Sequence, residues 1–252
     1  MTIPFSVTVS DLTAVVYSAG KVFNGLQTGR IDTEDFLRSG SLTGIHSRAD
    51  MQLLEDLRDV AQYVVDHQSS QVDAAYVKTL NGLITRTGAL RPGELRLAHQ
   101  GIGVSTRYGR HEPLALSDDA LQFLIGQALD ADDAASGAIA VFVALAKSQP
   151  FEDGNKRTAI FAANGYLLSQ GCPMLLSIPV NDNDAEVAKS FNTALARAYV
   201  FDDVREVTNL LNNAFIPIEV DHVDPEQDIE TDRQPQQHLS PSADDGFGMG
   251  MW

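Results

Sequence analysis

Apolar residues recur at helical spacing along most of the chain. Ser47 is placed to cap one such helix, and Asp50 lies three residues further on. Behind this cap the apolar positions are Leu54, Leu57, Ala61 and Val64. The same period marks segments near 76–84, 121–128, 139–146, 155–170, 187–198 and 202–213. Ser117 precedes one of these segments and Gly171 follows another, as expected of helix ends. The pattern predicts a mainly helical protein.

The helical pattern is interrupted between residues 89 and 113. Glycine and proline are frequent there, and Ile102, Val104 and Thr106 alternate with other residues. Alternation with a period of two is typical of strands rather than helices. We therefore expect an extended loop or a β-hairpin in this stretch.

The composition changes from about residue 217, where acidic residues dominate. This segment contains a single basic residue, Arg233. Its acidic residues are Glu219, Asp221, Asp224, Glu226, Asp228, Glu230, Asp232, Asp244 and Asp245. Such a segment buries too little apolar surface to fold alone, so we predict a disordered acidic tail over 217–252. Its apolar tip, which contains Phe247 and Trp252, is either a disordered end or a short docking peptide for a partner or for the protein's own groove.

The length and charge limit the classes of protein that fit. A chain of 252 residues with 44% hydrophobic content suits one main domain, which we place at 39–216 after a helical extension over 1–38. The formal net charge of −16 disfavours nucleic acid and anionic membranes as partners. The single cysteine, Cys172, fits a reducing compartment, and no apolar run is long enough to span a bilayer. We expect a soluble, cytoplasmic protein.

Candidate chemistry is concentrated in the segment 149–157, with the sequence QPFEDGNKR. The segment lies between two apolar helices, so the backbone N–H groups of Gly154 and Asn155 are expected to open the second helix and attract an anion. Lys156 and Arg157 add positive charge at a helix end where the dipole disfavours it unless an anion is bound. Asp153 is an oxygen ligand suited to Mg²⁺. An ordinary helix cap with surface charges is the alternative interpretation.

This segment resembles the central motif of the Fic/Doc family, His-x-Phe-x-(Asp/Glu)-Gly-Asn-(Gly/Lys)-Arg. The matching residues are Phe151, Asp153, Gly154, Asn155, Lys156 and Arg157. The resemblance extends over about 40–215, and it implies an all-α Fic/Doc-like helical bundle with a small β-hairpin flap. It also implies ATP and Mg²⁺ as cofactors, with Asp153 on the metal and residues 154–157 on the phosphates. A protein target would dock on the flap, near Ser105, Thr106 and Tyr108.

The sequence departs from the family pattern at three places. Gln149 stands where the family has its general-base histidine, and Ile160 replaces the second arginine of the AMP-transferring members. The run from Ser39 to Gly44 resembles the family's inhibitory helix motif, but Thr43 stands where that motif has glutamate. Glutamine cannot accept a proton near neutral pH, although it can orient a hydroxyl. His111, in the expected flap, is a candidate for a substitute base.

These features support two functional hypotheses. The first is a nucleotide-dependent transferase of low or altered activity that moves AMP or phosphate from ATP to a protein hydroxyl, with Gln149 positioning the acceptor. The second is a nucleotide-binding pseudoenzyme that acts as a regulatory or interaction module through a protein partner. A cradle for another phosphate ester, such as a dinucleotide, is a third alternative.

Overall fold

The computed structural model describes residues 5–88 and 90–218. The predicted acidic tail lies outside the described residues from 219 onward, as do its apolar tip and Trp252. The boundaries of the helices and strands below apply to the described ranges.

The described residues form a helical fold with two small sheets, which confirms the all-α class. The helices are α1 (Thr13–Asn24), α2 (Arg30–Ser39), α3 (Arg48–Asp66), α4 (Ala74–Gly82), α5 (Asp118–Leu129), α6 (Ala134–Ser148), α7 (Asn155–Ser169), α8 (Ala185–Phe201) and α9 (Arg205–Asn212). Short 3₁₀ turns cover Val9–Leu12 and Ala98–Gln100. The strands are β1 (Val104–Thr106), β2 (Gly109–His111), β3 (Met174–Leu176) and β4 (Phe215–Pro217).

Local capping chemistry sets the ends of several helices where the sequence indicated them. The Ser47 hydroxyl accepts a hydrogen bond from the Asp50 N–H at 2.9 Å, and α3 begins at the next residue. The Ser117 hydroxyl does the same for α5. Gly171, with φ of +67°, follows the end of α7. These caps satisfy backbone groups that a helix end otherwise leaves unpaired.

Helix α7 is the central element of the core. It packs most extensively against α6 and also contacts α1, α3 and α4. Asn164 is fully buried in α7, and its side chain exchanges hydrogen bonds with the Leu176 N–H (2.8 Å) and C=O (2.9 Å). The amide is therefore satisfied and joins α7 to β3, and neighbouring elements fix α7 along its length.

The N-terminal helices share this core rather than forming a separate layer. Leu12, Val15 and Ala19 are completely buried, and α1 contacts both α3 and α7. Within the predicted helical extension over 1–38, α1 and α2 are helical, whereas residues 5–8 and 25–29 are not. The apolar face of this extension, however, is part of the same core as the segment that follows.

Both sheets are antiparallel and two-stranded. In the first sheet β1 pairs with β2, with Val104 opposite His111, which confirms the hairpin expected between 89 and 113. The sequence did not predict the second sheet, in which β3 pairs with β4 and Met174 lies opposite Pro217. The Ile218 N–H donates to the Pro173 carbonyl at 2.9 Å. The described fold thus continues two residues past the expected boundary at 216.

No helix within the described ranges has both the length and the hydropathy needed to cross a membrane.

Candidate functional site

A cavity of about 210 Å³ lies at the N-terminus of α7. Its walls come from α1, the loop before β1, the end of α6, the 149–157 segment and α8. The lining residues are Phe23, Asn24, Ile102, Gly103, Val104, Ala146, Gln149, Glu152, Asp153, Gly154, Asn155, Lys156, Arg157 and Tyr199. The fold thus collects Gln149 and the residues from Glu152 to Arg157 around one cavity.

The turn that opens α7 requires glycine. Gly154 has φ of +75°, and a Cβ there would lie 3.0 Å from both Asn81 Nδ2 and Ile84 Cδ1. The Gly154 N–H donates to Asp153 Oδ1 at 2.6 Å. Because this N–H already has an acceptor, the contribution of Gly154 is the backbone conformation that lets the helix begin at Asn155.

The Asn155 side chain closes the motif loop upon itself. Its Oδ1 accepts from the Phe151 N–H at 2.8 Å, and its Nδ2 donates to the Phe151 carbonyl at 3.0 Å. The side chain is therefore engaged within the protein. The N–H groups of Asn155 and Lys156 lie in the first turn of α7, where no preceding carbonyl of the helix can reach them. They are among the backbone donors available to an anion, since the first hydrogen bond back along the helix runs from the Thr158 N–H to the Gly154 carbonyl.

Asn81 in α4 fixes the same loop from outside. Its Nδ2 donates to the Asp153 carbonyl at 3.0 Å and to Thr158 Oγ1 at 3.1 Å. Its Oδ1 accepts from the Gly93 N–H at 2.8 Å. Since Asn81 is 2% exposed and uses both ends of its amide, it holds the start of α7 in place.

Lys156 is one of the two cationic side chains that line the cavity, together with Arg157. Its Nζ lies 4.8 Å from the centroid of the Phe23 ring, within the range of a cation–π contact. Burial lowers the pKa of Lys156, while the charge of Asp153 opposes that shift. A partly desolvated ammonium next to open N–H groups gains more from a bound anion than an ammonium in water does.

Arg157 points away from bulk water and is 2% exposed. Its guanidinium donates to Thr87 Oγ1 at 2.6 Å and to the Thr87 carbonyl at 3.0 Å, and one nitrogen lies 3.8 Å from Asp153 Oδ2. Thr87 in turn donates to the fully buried Asp56 from its N–H (2.8 Å) and its hydroxyl (2.7 Å). Asp56, Thr87 and Arg157 therefore form a clamp that ties α7 to α3.

Asp153 is the cavity carboxylate with the most access to solvent. Its side chain is 60% exposed, and one oxygen accepts the Gly154 N–H. Within the described part of the chain, no group of three or more His, Cys, Asp or Glu side chains could hold a metal alone. This donor set fits Mg²⁺, because Mg²⁺ is commonly held by one or two carboxylates together with substrate phosphates and water.

Gln149 ends α6 in a left-handed backbone conformation, with φ of +44°, which is uncommon for a residue other than glycine. It is 8% exposed and lines the cavity. The buried guanidinium of Arg96 donates to the Gln149 carbonyl at 2.7 Å and to the Pro113 carbonyl at 2.5 Å. Arg96 thus connects the start of the motif to the end of the flap.

The cavity holds a second carboxylate, Glu152. Arg91 donates to it at 2.6 Å, and Gln100 donates to the same oxygen. The hydrogen bond from Arg91 contributes most to holding the pKa of Glu152 below its usual range. A paired carboxylate with a lowered pKa is a weak proton acceptor near neutral pH.

A groove of about 560 Å³ lies between the flap and α8 and adjoins the cavity. Ser105 and Thr106 of the flap line this groove. Tyr108 packs instead against Phe201 of α8, with ring centroids 5.3 Å apart. The residues that line both the groove and the cavity are Val104, Lys156 and Tyr199.

His111 lies outside the cavity that contains Gln149. Its Nε2 is 2.7 Å from the Lys147 carbonyl, and it lines a separate groove beside α5, α6 and α9. The hydrogen bond and the position both argue against the substitute base considered from the sequence. Among the described residues, the cavity lining includes no imidazole.

The segment from Ser39 to Gly44 does not form the helix expected from its resemblance. Helix α2 ends at Ser39, Gly40 has φ of +74°, and Thr43 lies in a loop. The helix end that reaches the cavity is that of α1, which contributes Phe23 and Asn24. The short sequence match therefore misplaced this element.

Several site residues carried no signal in the sequence. Asn81 and Thr87 lie 77 and 70 positions from the motif residues that they contact, and Tyr199 joins the cavity only through the fold. Arg96 lies in the stretch 88–96, which resembles the region before the family's flap, but its contact with the Gln149 carbonyl, 53 positions away, was not predicted. None belongs to a repeated or spaced pattern. Their shared feature, a polar group that contacts the site from a distant part of the chain, becomes visible only in the structure.

Comparisons with known proteins agree with this geometry. The family model described as the Fic/DOC family matches residues 54–167. Fic-1 from C. elegans shares 17% identity at a TM-score of 0.59, over 80% of this chain and 59% of that one. A Fic domain containing signaling protein from Bacteroides thetaiotaomicron shares 16% identity at a TM-score of 0.59, over 84% of this chain and 87% of that one. A Fic family protein from Desulfovibrio desulfuricans shares 14% identity at a TM-score of 0.58, over 81% of this chain and 63% of that one.

The fold is therefore the helical fold of Fic-domain proteins. The match to the Fic/DOC family model covers residues 54–167, which is less than half of the chain. The chain spans 59% of the length of the C. elegans protein it matches. No curated protein matches the sequence significantly.

Proposed function

We propose that this chain is a Fic-type transferase that binds the phosphates of ATP at the N-terminus of α7 and transfers AMP or phosphate to a protein hydroxyl. The observation that carries the proposal is the open first turn of α7. There the N–H groups of Asn155 and Lys156, together with the Lys156 ammonium, face a cavity that also contains the exposed Asp153 carboxylate.

An anion satisfies the groups that this helix end leaves unpaired. The N-terminus of a helix carries a positive partial charge, and Lys156 adds a full charge beside it. Without an anion, the positive end of the helix dipole and the Lys156 ammonium repel each other. Arg157 supports the same end of α7 through Thr87 and extends the positive field at the cavity wall.

Asp153 is the residue that would hold Mg²⁺ together with phosphate oxygens. The ion would neutralise phosphate charge when bound. Asp153 combines an exposed side chain with a backbone that Asn81 fixes, so the carboxylate can approach a metal without moving the loop. The chain's own contribution is thus a positioned oxygen ligand rather than a complete metal cage.

A target protein would supply the acceptor hydroxyl at the flap. The β1–β2 hairpin is a two-stranded sheet, so each strand has an edge on which an extended segment can pair. Ser105 and Thr106 lie where this hairpin borders the groove. Gln149 lines the adjoining cavity, where its amide can orient the acceptor but cannot take its proton near neutral pH.

Intact-mass spectrometry tests the transferase directly. The purified chain and lysate proteins would be incubated with ATP and Mg²⁺, and with other nucleotides in parallel. A mass increase of one AMP or one phosphate, lost in Asp153→Ala, supports the proposal and identifies the group. If wild type and Asp153→Ala both leave every protein unmodified, the transferase is excluded under these conditions.

A second candidate function rests on the glutamine at position 149. A general base typically contributes about 10²–10⁴-fold to a proton-transfer step, and glutamine removes that contribution. The chain would then be a nucleotide-binding module that recruits a protein partner. This second function predicts that the chain binds nucleotide without turnover. It also predicts that the chain binds a protein partner and that this binding is lost when residues 219–252 are removed.

Gln149→His distinguishes the two functions. A gain in transfer of about 10²-fold or more would show that the natural residue disables an otherwise complete site. A loss of transfer would show that glutamine serves the reaction itself. Gln149→Ala is the matched control, since it removes the amide without adding an imidazole.

A further inference from the structure

Tyr199 of α8 carries a buried hydroxyl that has no hydrogen-bond partner among the described residues. The residue is 7% exposed and lines both the cavity and the adjoining groove. Buried hydroxyls in proteins are generally hydrogen-bonded, because an unpaired one loses its hydration without replacement. An unpaired hydroxyl at the junction of two binding spaces points to an acceptor on a ligand.

Tyr76 shows that a buried, unpaired hydroxyl does not by itself indicate a ligand. Its hydroxyl is also buried and also lacks a partner among the described residues. Tyr76 packs against Gly165 in the core and lines neither the cavity nor the groove. The two tyrosines therefore share burial and differ in access to a ligand, which makes Tyr76 a matched control.

Neighbouring residues hold the Tyr199 ring in place. The His111 ring stacks on it with centroids 5.2 Å apart, and the hydrogen bond from His111 to the Lys147 carbonyl fixes that imidazole. Burial raises the pKa of Tyr199, so the group is a neutral phenol at physiological pH. A neutral, fixed phenol offers a directed donor at low entropic cost.

We infer that the Tyr199 hydroxyl is a recognition group for the nucleotide, donating to an oxygen of the sugar and α-phosphate portion that joins the phosphates in the cavity to the nucleoside in the groove. The inference rests on the proposed function, since it takes the ligand to be a nucleotide. Lys156 and Tyr199 line both spaces, so a ligand that occupies both must pass them. The Lys156 ammonium would pair with the negative charge of this ligand. The Tyr199 hydroxyl would donate a hydrogen bond to one of its neutral or anionic oxygens.

The test is calorimetric titration of the full chain with ATP and, separately, with inorganic tripolyphosphate, both with Mg²⁺. Tyr199→Phe is expected to weaken ATP binding about 3- to 10-fold, as for one lost hydrogen bond. It should leave tripolyphosphate binding unchanged, because that ligand lacks the sugar. Tyr76→Phe should leave both affinities unchanged.

Thermal melting of the ligand-free variants provides a second reading. Tyr199→Phe removes an unpaired buried hydroxyl while keeping the ring, so its Tm should equal or exceed that of wild type. A large decrease in Tm would mean that the hydroxyl has a structural partner, and it would overturn the inference.

The titrations separate failure of this inference from failure of the proposed function. If wild type binds ATP and Tyr199→Phe binds it equally well, the role of Tyr199 is refuted while nucleotide binding stands. An equal loss for ATP and tripolyphosphate would also refute it, because the hydroxyl would then act on the terminal phosphates or on the fold. If wild type binds neither ligand, both proposals fail.

Discussion

At the scale of single residues, the side chains around the cavity divide into two groups. Asn81, Thr87 and Asn155 use their polar atoms within the protein, where they hold the start of α7. Lys156 and Asp153 keep polar atoms directed at the cavity or at solvent. The first group creates the shape of the site, and the second can change partners when a ligand binds.

Thr87→Val tests the clamp between Asp56 and Arg157. The valine retains the side-chain volume but removes the hydroxyl that accepts from Arg157 and donates to Asp56. Because both partners are buried, we expect the free energy of unfolding to fall by about 1–3 kcal/mol. Urea denaturation measures this change.

The exposed Thr85 provides the control for that measurement. Thr85 contributes only its backbone N–H to Asp56, so Thr85→Val should change stability by less than about 0.5 kcal/mol. Equal losses for the two variants would contradict a specific role of the Thr87 hydroxyl.

Nucleotide affinity is expected to depend on pH through Lys156. Burial lowers the pKa of free Lys156 from its usual 10.5, whereas a bound anion favours the protonated amine. Binding therefore takes up protons, and affinity should be highest below the lowered pKa and fall as pH rises through it. Calorimetry at increasing pH measures this decrease, and Lys156→Met should remove it.

The sequence revealed only part of the site at the residue scale. The segment 149–157 was recognisable because its residues are contiguous and each belongs to a specific motif. Tyr199 was not, because a tyrosine on the apolar face of a helix is indistinguishable in sequence from an ordinary core residue. Its hydroxyl becomes significant only when the partners around it are known.

At the scale of elements, the start of α7 determines where its open N–H groups point. Gly154→Ala should destabilise the protein for two reasons. The φ of +75° costs a residue with a Cβ about 1–2 kcal/mol, and that Cβ would press on Asn81 and Ile84. We expect a total loss of about 2–4 kcal/mol in urea denaturation, together with weaker nucleotide binding.

Gly171, beyond the other end of α7, is the matched control. Its φ is +67°, but nothing lies within 4 Å of the Cβ that alanine would add. Gly171→Ala should therefore show only the backbone cost of about 1–2 kcal/mol and leave nucleotide affinity unchanged. A larger effect at Gly171 than at Gly154 would contradict this account of the turn.

Elements with a local signal were predicted well from the sequence, and elements held by distant pairing were not. The caps at Ser47 and Ser117 and the glycine at 171 marked helix ends correctly. Strands β3 and β4 have three residues each and lie about 40 positions apart, so neither shows an alternating pattern long enough to detect. The Ser39–Gly44 match failed because six residues carry too little information to place a helix.

At the scale of the whole molecule, the acidic character is divided unevenly. Nine carboxylates and one arginine lie beyond Ile218, in a chain of net charge −16, so that segment carries about half of the total. Ile218 itself is 5% exposed, and its N–H donates a hydrogen bond to the Pro173 carbonyl. Among the described residues, the core therefore extends to residue 218.

Removal of residues 219–252 should leave the Tm within about 2 °C of the full chain, because every buried core residue of the described part is kept. Nucleotide affinity should also be retained. Differential scanning calorimetry and titration with ATP measure both quantities. A fall of more than about 5 °C would show that the acidic segment contributes to the stability of the fold.

The central claim is that the N-terminus of α7 and Lys156 bind nucleotide phosphates. Calorimetric titration of the full chain with ATP and Mg²⁺ tests it most directly, alongside Lys156→Met and, as a control, Lys78→Met, which removes a cation paired with Asp118 outside the cavity. We predict that wild type and Lys78→Met bind alike and that Lys156→Met binds about 10- to 100-fold more weakly. Equal binding by Lys156→Met, or no binding by wild type, would contradict the account.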